Sequence, residues 1–253
     1  MKRRRRIKRS VRLAIAGILL IVLGSSLASF IRHQIDGTKP LAGSVQDGNK
    51  SAADGEDPPD NVYRIVIDPG HGGKDPGSEG SGGSREKDSN LSLALKVYDL
   101  LKKDPAFAPR MTRSDDTFVE LSDRAGAAND WDADVLLSIH GNAFEDPSIG
   151  GTETYYRYDN GIPLAEAIHR KVVEAMGFPD RGVKEEHLKV LSLSNMPAVL
   201  IEPGYLTNPG EESVLLSEDG QMKAAQAIAD GLKSYLQANG QSAGSSDELS
   251  SER

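Results

Sequence analysis

Three short apolar runs in this chain each lead to a residue able to do chemistry. "RIVID" (64–68) passes through Pro69-Gly70 to His71, "VLLSIH" (135–140) ends on His140, and "AVLIE" (198–202) ends on Glu202. Unbroken apolar runs of this length describe strands covered on both faces, as in parallel sheets held between helix layers. Helical patterns fall between and after them. Residues 90–103 place Leu91, Leu95, Tyr98 and Leu101 on one face, and Thr117 with Glu120 forms a capping box for a helix through Leu121, Arg124, Ala125 and Ala128. Leu164, Ile168 and Ala175 suit a helix closed by Gly177. A last helix carries Met222, Ala225, Ala229, Leu232 and Leu236, with Gly240 just past its end. "TETYYRY" (152–158) reads as an alternating strand. The expected fold is α/β: a single domain with a mostly parallel central sheet flanked by helices on both faces.

That domain is expected at 62–239. Residues 1–35 form a basic N-terminus followed by a signal anchor or signal peptide. Eight cations and no acid lie in residues 1–12, and the nineteen residues 13–31 carry no charge. Nineteen is near the roughly 20 residues that span a bilayer. An uncleaved anchor fits better than a cleaved signal, because the apolar run continues past the small-residue site Ser26-Leu27-Ala28. With the cations on the cytoplasmic side, the rest of the chain is expected to lie outside the membrane, anchored to it. Residues 36–61 are polar and rich in Gly, Asp, Pro and Ser, as a flexible linker is, and 240–253 read as a disordered tail.

Charge narrows the partners. The whole chain is −8, so the eight cations of the first twelve residues leave the remainder sixteen charges negative. Nucleic acid is excluded as a partner, since phosphate contacts need clustered Lys and Arg. The absence of cysteine removes disulfides, thiolate catalysis and Cys-rich structural zinc, leaving His, Asp and Glu as the available metal ligands.

In open α/β sheets, ligands sit beyond the carboxyl ends of the strands, where His71, His140 and Glu202 are delivered. Pro69 and the glycines at 70, 72 and 73 permit a turn tight enough to aim the His71 imidazole over the sheet edge. A catalytic zinc takes three protein ligands and keeps one open position, and His₂Glu is one recognised set. Glu86, after the Gly/Ser-rich loop 77–84 and just before a helix, is the best third ligand, although an acid there is also a routine helix-dipole partner. If Glu86 completes the set, Glu202 is free to carry protons. An acid ending an apolar run is costly to bury without a purpose. His169 and His187 read as surface residues, and His33 adjoins the apolar N-terminal run.

The motifs "IDPGHGGKDPGSEG", "REKDSNL", "RAGAAND", "ADVLLSIHGNAF", "GGTETYY" and "MPAVLIEPGYLTNPGE", taken in order, closely resemble the zinc-dependent N-acetylmuramoyl-L-alanine amidases of bacterial cell walls (amidase type 3). The likeness spans about 62–237. It implies Zn²⁺ as cofactor, held by His71, Glu86 and His140, with Glu202 as the catalytic acid–base residue. The implied substrate is peptidoglycan, cut at the amide between the lactyl group of N-acetylmuramic acid and L-alanine. Two departures, Ser192 where many members carry Arg and Pro203 in "EPGYLTN", touch neither a ligand nor the base. The size and layout resemble membrane-associated amidases that prepare spore cortex, but vegetative and division amidases share every motif. The sequence names no protein activator. A non-catalytic wall-binding or scaffold protein on the same fold is the alternative, and it would be expected to lack one of the four residues. Phosphate binding at the Gly-rich turn is disfavoured, since "GHGGKD" lacks the P-loop spacing.

Overall fold

The computed structural model describes residues 58–59 and 62–248. The basic start, the apolar run 13–31, His33 and nearly all of the spacer 36–61 lie outside the described residues. Among those described, no helix is long and apolar enough to cross a membrane.

Six strands form one sheet: β1 (Tyr63–Pro69), β2 (Phe107–Met111), β3 (Val135–Ile139), β4 (Thr152–Tyr156), β5 (Asp180–Glu185) and β6 (Ala198–Glu202), in the spatial order β2-β1-β3-β6-β4-β5. The pairs β1–β2, β1–β3, β3–β6 and β4–β5 are parallel, while β4 runs antiparallel to β6. The fold is therefore α/β with a mostly parallel sheet. Reversal of β4 and β5 brings their first residues to the edge where β1, β3 and β6 end.

Helices α1 (Glu86–Lys102), α3 (Ile162–Met176) and α6 (Glu218–Glu248) cover one face. Ile65, Ile67, Leu137, Ile139, Val199 and Ile201 point into them and are fully buried. Each such side chain contributes about 1.5–3 kcal/mol. Among the described residues, the opposite face carries only α2 (Leu121–Asp130) and the single turn α4 (Lys189–Ser192), packed on Val66, Leu136, Ala198 and Leu200. Strand side chains alternate between faces. Asp68, Ser138, His140 and Glu202 therefore share this second face, toward the carboxyl ends of the strands.

Local chemistry explains several boundaries. Gly177 closes α3 in the left-handed conformation, φ +66°, donating to Val173 O as expected of a helix-ending glycine. Asn208 caps α5 (Pro209–Leu215) by accepting from the amides of Gly210 and Glu211, with Pro209 in the first turn. Elsewhere the structure departs from the expected pattern. No capping box forms at α2: Glu120 is the N-cap without a side-chain bond, and the Thr117 hydroxyl turns to Asp115. Helix α6 continues through Gly240 to Glu248, so the expected stop and tail start inside a helix. One glycine costs only about 1 kcal/mol in a helix that is already propagating. Along α6, Ala225, Ala229, Leu232 and Leu236 are buried as expected, but Met222 faces solvent.

Candidate metal centre

The turn after β1 is held by two buried arginines. Arg124 donates to Asp68 Oδ1 (2.8 Å), Pro69 O (2.7 Å) and His71 O (2.7 Å). Arg113 donates to Pro69 O (3.0 Å) and Gly70 O (2.7 Å). Together they hold His71 at φ +60°, a region that non-glycine residues enter only when their surroundings fix it. Asp68 is itself saturated by Arg124, Thr112 Oγ1 (2.6 Å) and Ser138 Oγ (2.8 Å), so its role is to anchor the turn. Removing one partner from a buried Asp–Arg pair costs about 3–5 kcal/mol.

The imidazole so aimed meets two other side chains. His71 Nε2 lies 3.1 Å from Glu86 Oε1, and His140 Nδ1 lies 2.9 Å from the same oxygen. The two rings sit edge to face, 5.0 Å between centroids. One candidate ligand atom from each residue falls within 4.8 Å of the other two. Glu86, the first residue of α1, is buried, and its second oxygen accepts from Ser78 N (2.9 Å). His71 Nδ1 pairs with Asp75 Oδ2 at 2.8 Å, which fixes the ring and leaves Nε2 facing inward. Glycines allow the close approach. A Cβ on Gly70 would fall 2.2 Å from His140 Cε1, and one on Gly77 2.7 Å from Glu86 Oε2.

Charge at the centre is strongly biased. Burial works to raise the Glu86 pKa, but hydrogen bonds from His140 and His71 outweigh it and hold the carboxyl well below its usual range. For His71, burial lowers the pKa and the carboxylates of Glu86 and Asp75 reverse that, leaving it raised. Glu202 lines the same open cleft, about 410 Å³, with the three residues above and Asn142. Its Oε2 is sealed from solvent and has no hydrogen-bond partner. Burial, then the charges of Glu86 and Glu153, push its pKa well above the ordinary carboxylate value.

Comparison with known proteins decides the family. The model of the N-acetylmuramoyl-L-alanine amidase family matches residues 65–234. The chain belongs to that family. It is 43% identical over 175 residues to N-acetylmuramoyl-L-alanine amidase LytC of Bacillus subtilis (strain 168), covering 68% of this chain and 35% of LytC. Identity to the probable cell wall amidase LytH of Staphylococcus aureus is 38% over 176 residues, covering 69% of this chain and 58% of LytH. The chain thus spans less than two thirds of either relative. The structure of the catalytic domain of CwlV, an N-acetylmuramoyl-L-alanine amidase from Bacillus(Paenibacillus) polymyxa var.colistinus, superposes with a TM-score of 0.68 at 43% identity, over 70% of this chain and 99% of that one.

The donor set of this amidase-family chain suits zinc. Tetrahedral bonds of about 2.0–2.2 Å put ligand atoms about 3.3–3.6 Å apart; the two contacts to Glu86 Oε1, 2.9 and 3.1 Å, are a few tenths of an ångström shorter, and all three ligand atoms lie within 4.8 Å of one another. Two expectations about histidine fare differently. His187 is exposed, as expected, and stays off the cleft. His169 is buried, contrary to expectation, between Thr154 Oγ1 (3.1 Å) and Asp180 Oδ1 (2.8 Å). Its partners come from β4 and β5, which a helical periodicity cannot reveal.

One residue at this edge escapes the sequence reading. Glu153, directly opposite Glu202 in the β4–β6 register, is buried and accepts from the hydroxyls of Tyr155 and Tyr205 and from Arg181 and Lys184. Burial would raise its pKa, but these donors bring it down to about 2. The signal was available: an acid inside "TETYY" raises the same burial question as Glu202. Treating that stretch as half-exposed hid it, whereas Thr152, Glu153 and Thr154 are all buried.

Proposed function

We infer that this chain is a zinc-dependent hydrolase of peptidoglycan, cutting the amide between the lactyl group of N-acetylmuramic acid and the L-alanine of the stem peptide. The observation that carries the reading is the convergence of His71 Nε2, Glu86 Oε1 and His140 Nδ1 in a cleft that Glu202 also lines. In this reading the first three are the zinc ligands and Glu202 is the catalytic acid–base. Zinc bound there supplies Lewis acidity and lowers the pKa of water. Asp75 keeps the Nδ1 proton of His71 and so directs the Nε2 lone pair toward the ion. Ser78 N holds the other Glu86 oxygen, which limits the carboxylate to one inward atom. Glu202 takes the proton of the attacking water and returns it to the departing L-alanine nitrogen, a transfer that its place in the cleft lining and its high proton affinity suit. The loops 74–85 and 143–151 border the glycan-binding cleft.

The same proposal places the domain outside the membrane, tethered by residues 13–31 and so confined to peptidoglycan near the bilayer. Spore-cortex preparation is one setting for such a tethered amidase. The decisive experiment digests purified peptidoglycan with and without a chelator and identifies products by mass. Expected are free L-alanine amino termini that vanish with the chelator. Glu202→Gln should keep zinc and lose about 10²–10⁴-fold in rate, while His140→Ala should lose both. Stoichiometric zinc in His140→Ala would refute its place as a ligand.

A further inference from the structure

The polar row at the sheet edge continues past Glu202. Across the order β6-β4-β5 it runs from Glu202 to Glu153 and then to Arg181 and Lys184. Glu153 Oε1 accepts from Tyr205 Oη (2.9 Å), Lys184 Nζ (3.0 Å) and Arg181 Nε, and Oε2 from Asn142 Nδ2 (3.2 Å) and Tyr155 Oη. Two cations therefore share one carboxylate, one more than it neutralises, just outside the cleft lining and joined to it through Asn142. That excess is accessible. The side chains of Arg181 and Lys184 are 37% and 42% exposed, against 3% for Glu153.

Arg181 commits only Nε to Glu153. Neither Nη group has a hydrogen-bond partner among the described residues, so the outer fork of the guanidinium is open. Its stem is braced against Gly151, where a Cβ would fall 2.7 Å from both Cγ and Cδ, and the guanidinium lies 5.6 Å from the Tyr205 ring centroid. A cation already held in place loses little freedom on binding, and a guanidinium fork matches a carboxylate with two hydrogen bonds. Arg113 and Arg124 cannot serve, being buried and bound to backbone carbonyls and Asp68, and Arg85 is turned to Asp88 through both Nε and Nη2.

We propose that Arg181, assisted by Lys184, is a specificity-determining subsite that grips a free carboxylate on the peptide of the substrate. This rests on the peptidoglycan-amidase reading above and deepens it by assigning the direction in which the peptide lies. Neighbouring strands are about 4.8 Å apart, which places β5 about 10 Å from β6. An extended peptide advances about 3.3 Å per residue. The carboxylate that reaches Arg181 therefore belongs to the second or third residue beyond the scissile amide. Outside its first twelve residues the chain is strongly acidic, so an anionic peptide needs a local cation to settle here.

The test is steady-state kinetics of the purified full-length chain on two muropeptides, one with free carboxylates at the second and third residues and one with both as carboxamides. The unaltered protein should show about a tenfold lower KM for the acid, the scale of one charge-assisted pair, with similar kcat. Arg181→Gln should erase that preference while zinc content stays unchanged, and Arg181→Lys should restore part of it. Equal KM for acid and amide in the unaltered protein overturns the subsite alone, and needs no variant to fold. So does an acid preference that survives in the Arg181→Gln/Lys184→Gln double variant. Failure to cleave either muropeptide overturns the amidase reading and the subsite with it.

Discussion

Two acids face each other across the β4–β6 ladder and meet opposite fates. Glu153 collects donors from two tyrosines and two cations and stays ionised down to about pH 2. Glu202, one strand away, has a bare oxygen and a raised pKa. Carboxyls whose environments push their pKa values apart divide labour in this way, one holding charge and the other moving protons. The same contrast of permitted and forbidden contact governs Gly70. Its missing Cβ is the space into which His140 fits, 2.2 Å from where that carbon would stand. Gly70→Ala must displace the imidazole or the turn, an overpacking that costs about 1–3 kcal/mol. We expect zinc affinity to drop by about ten- to a hundredfold, as when a ligand's support is disturbed, with the fold retained. Competition against a chromogenic chelator measures it. Unaltered affinity would mean that His140 has room the geometry denies it.

Among the elements, the strands were the most legible in the sequence. Three strongly apolar β runs predicted both their burial and the common edge to which His71, His140 and Glu202 are delivered, because continuous apolar sequence and parallel pairing have the same cause. Helix α1 was less so. Its buried stripe is Asn90, Leu93, Ala94, Val97 and Leu101, continuing the line of Glu86. Of the face that apolar counting selects, Leu101 lies on this line, while Leu91, Leu95 and Tyr98 stand one position round from it. Polar residues occupy the inward line where it meets the cleft, so counting only apolar residues turns the helix away. The direction of β4 was not legible at all, since a five-residue strand reads alike in both senses, and with it went the partnership of Glu153 and Glu202. Long-range bonds were also hidden. Glu212 on α5 is buried and accepts from Ser81 Oγ (2.6 Å), Gly82 N (2.7 Å) and Ser84 Oγ (2.5 Å), pinning the Gly/Ser-rich loop that supplies Ser78 N to Glu86. Glu212→Ala should release the loop, weaken zinc binding about tenfold and open a new proteolytic cut within 78–84. A zinc Kd and digestion pattern like those of the unaltered chain would show that the loop holds its shape unaided.

At the scale of the whole molecule, stability and chemistry occupy different parts of the sheet. Both hydrophobic clusters lie along the strand bodies, one beneath α1, α3 and α6 and the other beneath α2 and α4. The candidate ligands stand beyond the strand ends, on a turn, a helix start and a strand terminus, and none belongs to either cluster. Two buried arginines and Glu212 fix these segments through the polypeptide itself. Zinc is therefore expected to bind a site that is already formed. An ion that binds only the folded state still adds stability by mass action, about 2.7 kcal/mol at a hundred times its Kd. For a domain of this size each kcal/mol corresponds to about 2–4 °C. Chelation should thus abolish hydrolysis and lower the thermal midpoint by about 5–10 °C, while the far-UV circular dichroism at 25 °C stays that of the folded protein. Restoring zinc should recover both activity and midpoint. Loss of the far-UV signal on chelation at 25 °C would contradict this division, because the ion would then be holding the fold that these two clusters are expected to hold.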